Sequence, residues 1–98
     1  MNEIRLIRLT SGEEILVKIL KENDISTTVE NPILLIPNKD AIGFMPYMSY
    51  CDIDNGLGIR NEDIMFNLKP TEELIKNYKT IIDDSIKIQT PLKPKIVT

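Results

Sequence analysis

The residues that could do chemistry in this chain include the adjacent carboxylate pairs Glu13-Glu14, Glu62-Asp63 and Asp83-Asp84, a single cysteine, Cys51, and two glycine-bearing turns. Carboxylate pairs serve general acid–base catalysis when both side chains converge on one reacting group. Adjacent residues of a strand point to opposite faces, so Glu13 and Glu14 do not converge. Asp83 and Asp84 fall at the polar end of a helical pattern, and solvation accounts for these pairs. The chain has no histidine, which removes the commonest general acid/base and the commonest metal ligand. It also leaves Cys51 without an imidazole to activate it, so the thiol reads as buried and structural.

Asp52-x-Asp54-Asn55-Gly56 begins like a calcium loop. That loop needs its glycine one position later and a bidentate Glu at its end, so a turn is the better reading. Gly56-Leu57-Gly58 has Asn61 where a dinucleotide fingerprint needs its third glycine, and no βαβ unit surrounds it. The residues therefore predict no enzyme, no metal and no cofactor.

The elements that carry these residues are mostly strands. Ile4–Leu9 and residues 13–21 flank Thr10-Ser11-Gly12, a tight-turn sequence whose glycine is free to take positive φ. Ile15, Val17 and Ile19 alternate, so they share one sheet face. Ile25 to Val29 is β-branched, and Ile33 to Ile36 resumes after Asn31-Pro32. Proline cannot donate to a ladder, so one long strand bent at Asn31-Pro32 is expected. Ala41 to Cys51 reads as a fourth strand, bent again at Gly43 and Pro46. Ile59-Arg60 can re-enter the sheet, and Ile64 to Leu68 is a short last strand. Pro70-Thr71-Glu72-Glu73 is a helix start, with Thr71 as cap and carboxylates in the first turn. Leu74, Ile75, Tyr78, Ile81 and Ile82, with Ile86 beyond them, form an apolar stripe at helical spacing, and the helix is expected to end near 84–86. The expected fold is mainly β: a strongly bent five-stranded antiparallel sheet, a small open barrel, with one C-terminal helix. Residues 1–86 form a single domain in this reading. Residues 87–98, with Pro91, Pro94 and three lysines (Lys87, Lys93, Lys95), read as an extended or disordered tail.

With 98 residues and 42% hydrophobic content, the chain has the size and composition of one soluble domain. Three Tyr, two Phe and no Trp make its core aliphatic. The net charge of −3 is not the electrostatic footprint usual for nucleic-acid binding. No apolar run is long enough to span a membrane, the N-terminus lacks a signal-peptide pattern, and one cysteine suits a reducing cytoplasm. A cytoplasmic protein with no membrane partner is expected.

Two stretches resemble the Sm/LSm family of small ring-forming RNA-binding proteins. Leu9-x-x-Gly12-x-x-Ile15-x-Val17-x-Ile19 is similar to the opening of the family's first motif, and Ile59-Arg60-Asn61-Glu62-Asp63-Ile64 is similar to its second. The resemblance covers about residues 4–68. Asn31-Pro32, Gly43-Phe44-Met45-Pro46-Tyr47 and the C-terminal amphipathic helix also look like Sm-like proteins of marine phage and ocean metagenome origin. The chain departs from the family pattern in several places. Its helix comes last instead of first. Val17 stands where the first motif has its second glycine, Asn23 where it has Asp (Asp24 follows), and Thr27 where it has Asn. Ile25 stands where it has a base-stacking aromatic, and Asn61 where the second motif has glycine. Asparagine tolerates the left-handed conformation, so the last change is mild. Loss of the aromatic removes a main source of single-strand affinity.

The resemblance implies a cyclic homo-oligomer in which the fourth strand of one subunit pairs with the fifth of the next. Met45, Met48, Ile64 and Phe66 would then lie near the joint. It implies single-stranded RNA as partner at the pore loops, with Arg60 stacking on or hydrogen-bonding a base and Asn23, Thr27 and Asn61 reading base edges. A riboregulator or RNA chaperone, in a host cytoplasm if of phage origin, is the function so implied. The alternative is an Sm-fold ring that serves as a protein-interaction or structural scaffold without RNA. The acidic charge and the missing aromatic favour that alternative.

Overall fold

The computed structural model describes residues 3–83. Six strands form one antiparallel sheet: β1 (Ile4–Leu9), β2 (Glu14–Glu22), β3 (Ser26–Pro37), β4 (Ile42–Pro46), β5 (Leu57–Arg60) and β6 (Ile64–Leu68). A helix, α1, follows over residues 72–83. The order across the sheet is β4-β3-β2-β1-β6, with β5 also paired to β3.

The first hairpin forms as its turn sequence predicts. Gly12 has φ +101°, a conformation that L side chains rarely adopt. Its N–H donates to the Leu9 carbonyl at 2.8 Å, and the Leu9 N–H donates to Glu13 at 2.8 Å. The resulting register sets Ile7 opposite Ile15 and Leu6 opposite Leu16. That register puts apolar side chains on both faces of β2. On the inner face, Ile15 and Val17 pack with Ile7, Leu9, Val29 and Ile59, with Ile19 at the margin. On the outer face, Leu16 packs with Ile33, Leu35 and Tyr78 of the helix. Ile7, Ile15, Leu16, Val17 and Val29 have no exposed surface. A strand buried on both sides loses its usual polar alternation, and β2 reads Glu-Ile-Leu-Val-Lys-Ile-Leu accordingly.

β3 is one continuous strand with a bend where Asn31-Pro32 predicts it. Asn31 takes φ +51°, in the left-handed region that asparagine tolerates. The bend divides the strand's pairings. Ser26 to Val29 pair with β5, and Ile33 to Pro37 pair with β4. The sheet thus curls on itself without closing. A 3-10 turn at Asn61–Asp63 carries the chain from β5 to β6, and β6 pairs with β1.

The strand count is six where the sequence predicts five. The apolar stretch 41–51 is strand only as far as Pro46, which pairs opposite Ile33. Tyr47 then leaves the ladder, and Met48 takes φ +61°. Leu57–Arg60 re-enters the sheet as a strand of its own. The buried structural reading of Cys51 is corrected as well. Cys51 is exposed, because it lies in the loop beyond Met48 instead of on a strand. The aspartate-rich stretch is a turn: the Asp54 N–H donates to the Asp52 side chain at 3.3 Å, and the Gly56 N–H donates to the Ile53 carbonyl at 2.9 Å.

The helix start matches its sequence signals, with the Thr71 hydroxyl accepting from the Leu74 N–H at 3.3 Å. Leu74, Tyr78, Ile81 and Ile82 of the predicted stripe pack on the sheet's outer face, whereas Ile75 is half-buried outside that cluster. Ile86, the expected helix end near 84–86 and the tail lie outside the described residues. No described helix is long and apolar enough to cross a membrane.

Tyr78 joins the helix to the bend. It is 1% exposed, and its hydroxyl donates to the Asn31 carbonyl at 2.8 Å, with the Glu30 carbonyl at 3.3 Å. Burial, and then the nearby Glu30 charge, push its phenol well above its ordinary value of 10.0. The native state therefore prefers the neutral phenol. The resulting stabilisation is complete below the unfolded-state value and falls away as pH rises through it. Stability should be flat through neutrality and drop above about pH 10. Tyr78→Phe should cost about 1 kcal/mol at pH 7 and flatten the alkaline drop, as read from urea midpoints across pH.

Candidate functional site

At one end of the barrel, the β2–β3 connection and the β5–β6 turn meet. Asn23 organises the first of these. Its side-chain carbonyl accepts from the N–H groups of Ile25 at 2.8 Å and Ser26 at 2.9 Å, an Asx turn. Its own N–H donates to the Ser26 carbonyl at 3.0 Å. Asn61, the first residue of the 3-10 turn, reaches across. Its amide nitrogen donates to the Asn23 backbone carbonyl at 2.8 Å, and its amide carbonyl accepts from the Thr27 hydroxyl at 2.8 Å. The Asn61 N–H also donates to the Ile25 carbonyl at 2.8 Å. Three of the four residues singled out at these loops are therefore bonded directly to one another. Thr27 is almost fully buried, so its hydroxyl must find such a partner.

Arg60, the fourth, stands beside this cluster at the end of β5. Its side chain is 67% exposed. Its Nε donates to Asp63 Oδ2 at 3.0 Å, and Nη1 lies 3.5 Å from Glu62 Oε2. Exposed ion pairs contribute only about 0–1 kcal/mol, so these contacts orient the guanidinium without fixing it. Ile25, at the position where the resemblance expects an aromatic, is 76% exposed.

A second feature has no counterpart in the sequence reading. Tyr47 returns to the barrel after leaving the sheet. Its N–H donates to the Pro32 carbonyl at 3.0 Å, and its hydroxyl donates to Glu13 at 3.2 Å. Partial burial and the Glu13 carboxylate raise its phenol above 10.0. Glu13 also accepts from the Ser11 hydroxyl at 2.8 Å. Glu13 thus anchors a loop, and Glu14 pairs with Arg8 at 3.2 Å. The signal for this arrangement is three-dimensional: residues 34 positions apart meet only once β3 is bent.

The strands that end the sheet are β4 and β6, and each has one edge unpaired among the described residues. Met45 on β4 is 47% exposed and Phe66 on β6 is 52% exposed. Ile64 instead packs against the inner core. Met48 lies in the loop after β4, half-buried. Ile42, Met65 and Leu68 add exposed apolar surface to the same two strands. Among the described residues, no group of three or more His, Cys, Asp or Glu gathers where it could hold a metal ion.

No protein-family model matches this chain, and no curated protein is found to be related to it.

The Thr27–Asn61 bond ties together segments 34 positions apart in the chain. Thr27→Val should lower stability by about 1 kcal/mol, read as a shift of the urea midpoint without a change of slope.

Proposed function

We propose that this chain is a non-enzymatic Sm-like protein that assembles into a ring and binds single-stranded RNA at its loop end. One observation carries the RNA reading. The Asn61 side chain is bonded to the Thr27 hydroxyl and to the Asn23 backbone carbonyl, beside an exposed Arg60. A guanidinium on a preorganised base can stack on or hydrogen-bond an unpaired nucleobase. The ring reading is supported by the open edges of β4 and β6, each with exposed apolar side chains. Unpaired edges of that kind are normally covered or blunted, and a head-to-tail ring of identical subunits would pair these two with each other.

A specific observation favours the second reading, a scaffold ring without RNA. Arg60 is held between Glu62 and Asp63, and the exposed side chain at the loop tip is Ile25. Two carboxylates around one guanidinium repel phosphate, and an exposed isoleucine suits a protein surface.

Fluorescence titration of short U-rich and A-rich RNA at two salt concentrations separates the two. The RNA reading expects saturable binding with a shallow salt dependence, corresponding to about one phosphate contact per subunit. It expects Arg60→Ala to weaken binding about tenfold while the assembly survives. Absence of binding at low salt would assign the ring to protein partners.

Assembly has its own test. Light scattering at micromolar concentration should give several times the mass of one chain, and Phe66→Asp should shift it toward one. A monomeric wild type would remove the ring.

A further inference from the structure

A groove of about 380 Å³ opens between the first hairpin turn, the Tyr47–Met48 segment and β5. Its size falls within the range of small-molecule sites. Four consecutive residues, Leu57–Arg60, form one wall, and β5 pairs with β3 alone among the described residues. Apolar side chains, Leu57 and Met48 among them, line most of it; Thr10 and Ser11 of the hairpin turn are polar, and Arg60 and Asp63 are its charged pair. Met48, in the loop after β4, also lines the groove and takes φ +61°. A long side chain in the left-handed region carries backbone strain, and strain of this kind concentrates at ligand-binding positions.

The charged pair fixes the chemistry of a ligand. Arg60 offers guanidinium N–H donors only, and Asp63 offers carboxylate acceptors only, 3.0 Å apart. A matching ligand edge must present an acceptor next to a pair of donors. Its body must be flat and apolar enough to lie along Met48 and Leu57. A phosphate meets two carboxylates here, Asp63 and the neighbouring Glu62, and is disfavoured. Among common biological rings, the Watson–Crick edge of guanine fits. Its O6 accepts from Arg60, while N1–H and the 2-amino group donate to the two oxygens of Asp63. Adenine and cytosine offer an amino group without an adjacent ring N–H. Uracil offers a single N–H between two acceptors.

We propose that this groove binds a guanine base, held by Asp63 and Arg60 at its edge and by Met48 and Leu57 on its faces. The base can come from a free nucleoside or nucleotide, or from an unpaired guanine in RNA. The groove lies beside the Asn23–Thr27–Asn61 cluster and shares only Arg60 with the proposed RNA contacts, so guanine recognition does not require that reading.

The test is titration of the full chain with guanosine, inosine, adenosine, cytidine and uridine, followed through the Met48 methyl and Leu57 resonances. Guanosine should shift them saturably, with the other nucleosides weaker by roughly tenfold or more, inosine included because it lacks the 2-amino group. Asp63→Asn should abolish the guanosine preference. Its backbone carbonyl, which accepts from the Thr10 N–H at 2.9 Å, remains in place, and circular dichroism verifies the fold. A second arm compares a U-rich strand carrying one guanine with the same strand lacking it. Guanine-dependent binding assigns the source as RNA, whereas a response to guanosine alone assigns it as the free nucleoside; both support the site. Equal shifts from all the nucleosides, no shift from guanosine, or a preference that survives in folded Asp63→Asn would overturn the proposal.

Discussion

The bend in β3 is the constraint on which the rest of the structure depends. A straight strand of twelve residues would pair with the same neighbours along its whole length. With Asn31 in the left-handed region, the strand turns and takes two partners in succession on one side, β5 and then β4. The sheet curls as a result, and its inner face encloses buried aliphatic side chains, with Tyr47 packed against them at the margin. A kink of this kind frees backbone carbonyls from the ladder. The Tyr78 hydroxyl lies at the carbonyls of Glu30 and Asn31, and its ring fills the outer face above Leu16, Ile33 and Leu35. Bend and helix are therefore coupled: the helix supplies a donor and a large buried side chain where the bent sheet presents acceptors and an apolar surface.

The same bend assembles the candidate site. Because the first half of β3 pairs with β5, the Asn23 loop and the Asn61 turn are brought to one place and bonded there. Because the second half pairs with β4, Tyr47 emerges opposite the first hairpin and seals against Glu13. Both features join segments 34 or more positions apart. They form only after the sheet has curled, so the loops inherit their rigidity from the strand pairing beneath them.

Local signals made much of this fold legible in the sequence. The hairpin at Gly12, the bend at Asn31-Pro32 and the capped start at Thr71 each follow from one or two residues with restricted backbone preferences. The sharing of Asn23, Thr27 and Asn61 between two loops was legible only through the motif-like stretches, since nothing in their separation in the chain brings them together. The fourth strand is shorter than the sequence predicts because apolar character runs from Ala41 to Cys51 with only Ser49 polar, while the ladder ends where Pro46 meets Ile33. The left-handed Met48 and the exposed Cys51 both follow from that ending, and side-chain type alone carries no sign of either. The groove beside Arg60 was not legible, because its walls come from three segments that meet only in the folded chain.

Electrostatics at this end limits what it can recognise. Arg60 is its prominent exposed cation, and Glu62 and Asp63 both lie within ion-pair distance of it. Locally the three groups sum to a negative charge, in a chain whose net charge is already −3. A nucleic-acid backbone is therefore not drawn here by field, and affinity from counterion release is small. Any nucleic-acid recognition at this surface must come from hydrogen bonds and packing against a base, which gain most where water is excluded. The polar cluster is internally satisfied and the loop tip is an isoleucine, so the concave surface beside Arg60 is the part of this end that offers both apolar cover and unshared donors. A ligand at this surface would be selected by the donors and acceptors of its edge, because the local charge offers a phosphate no attraction.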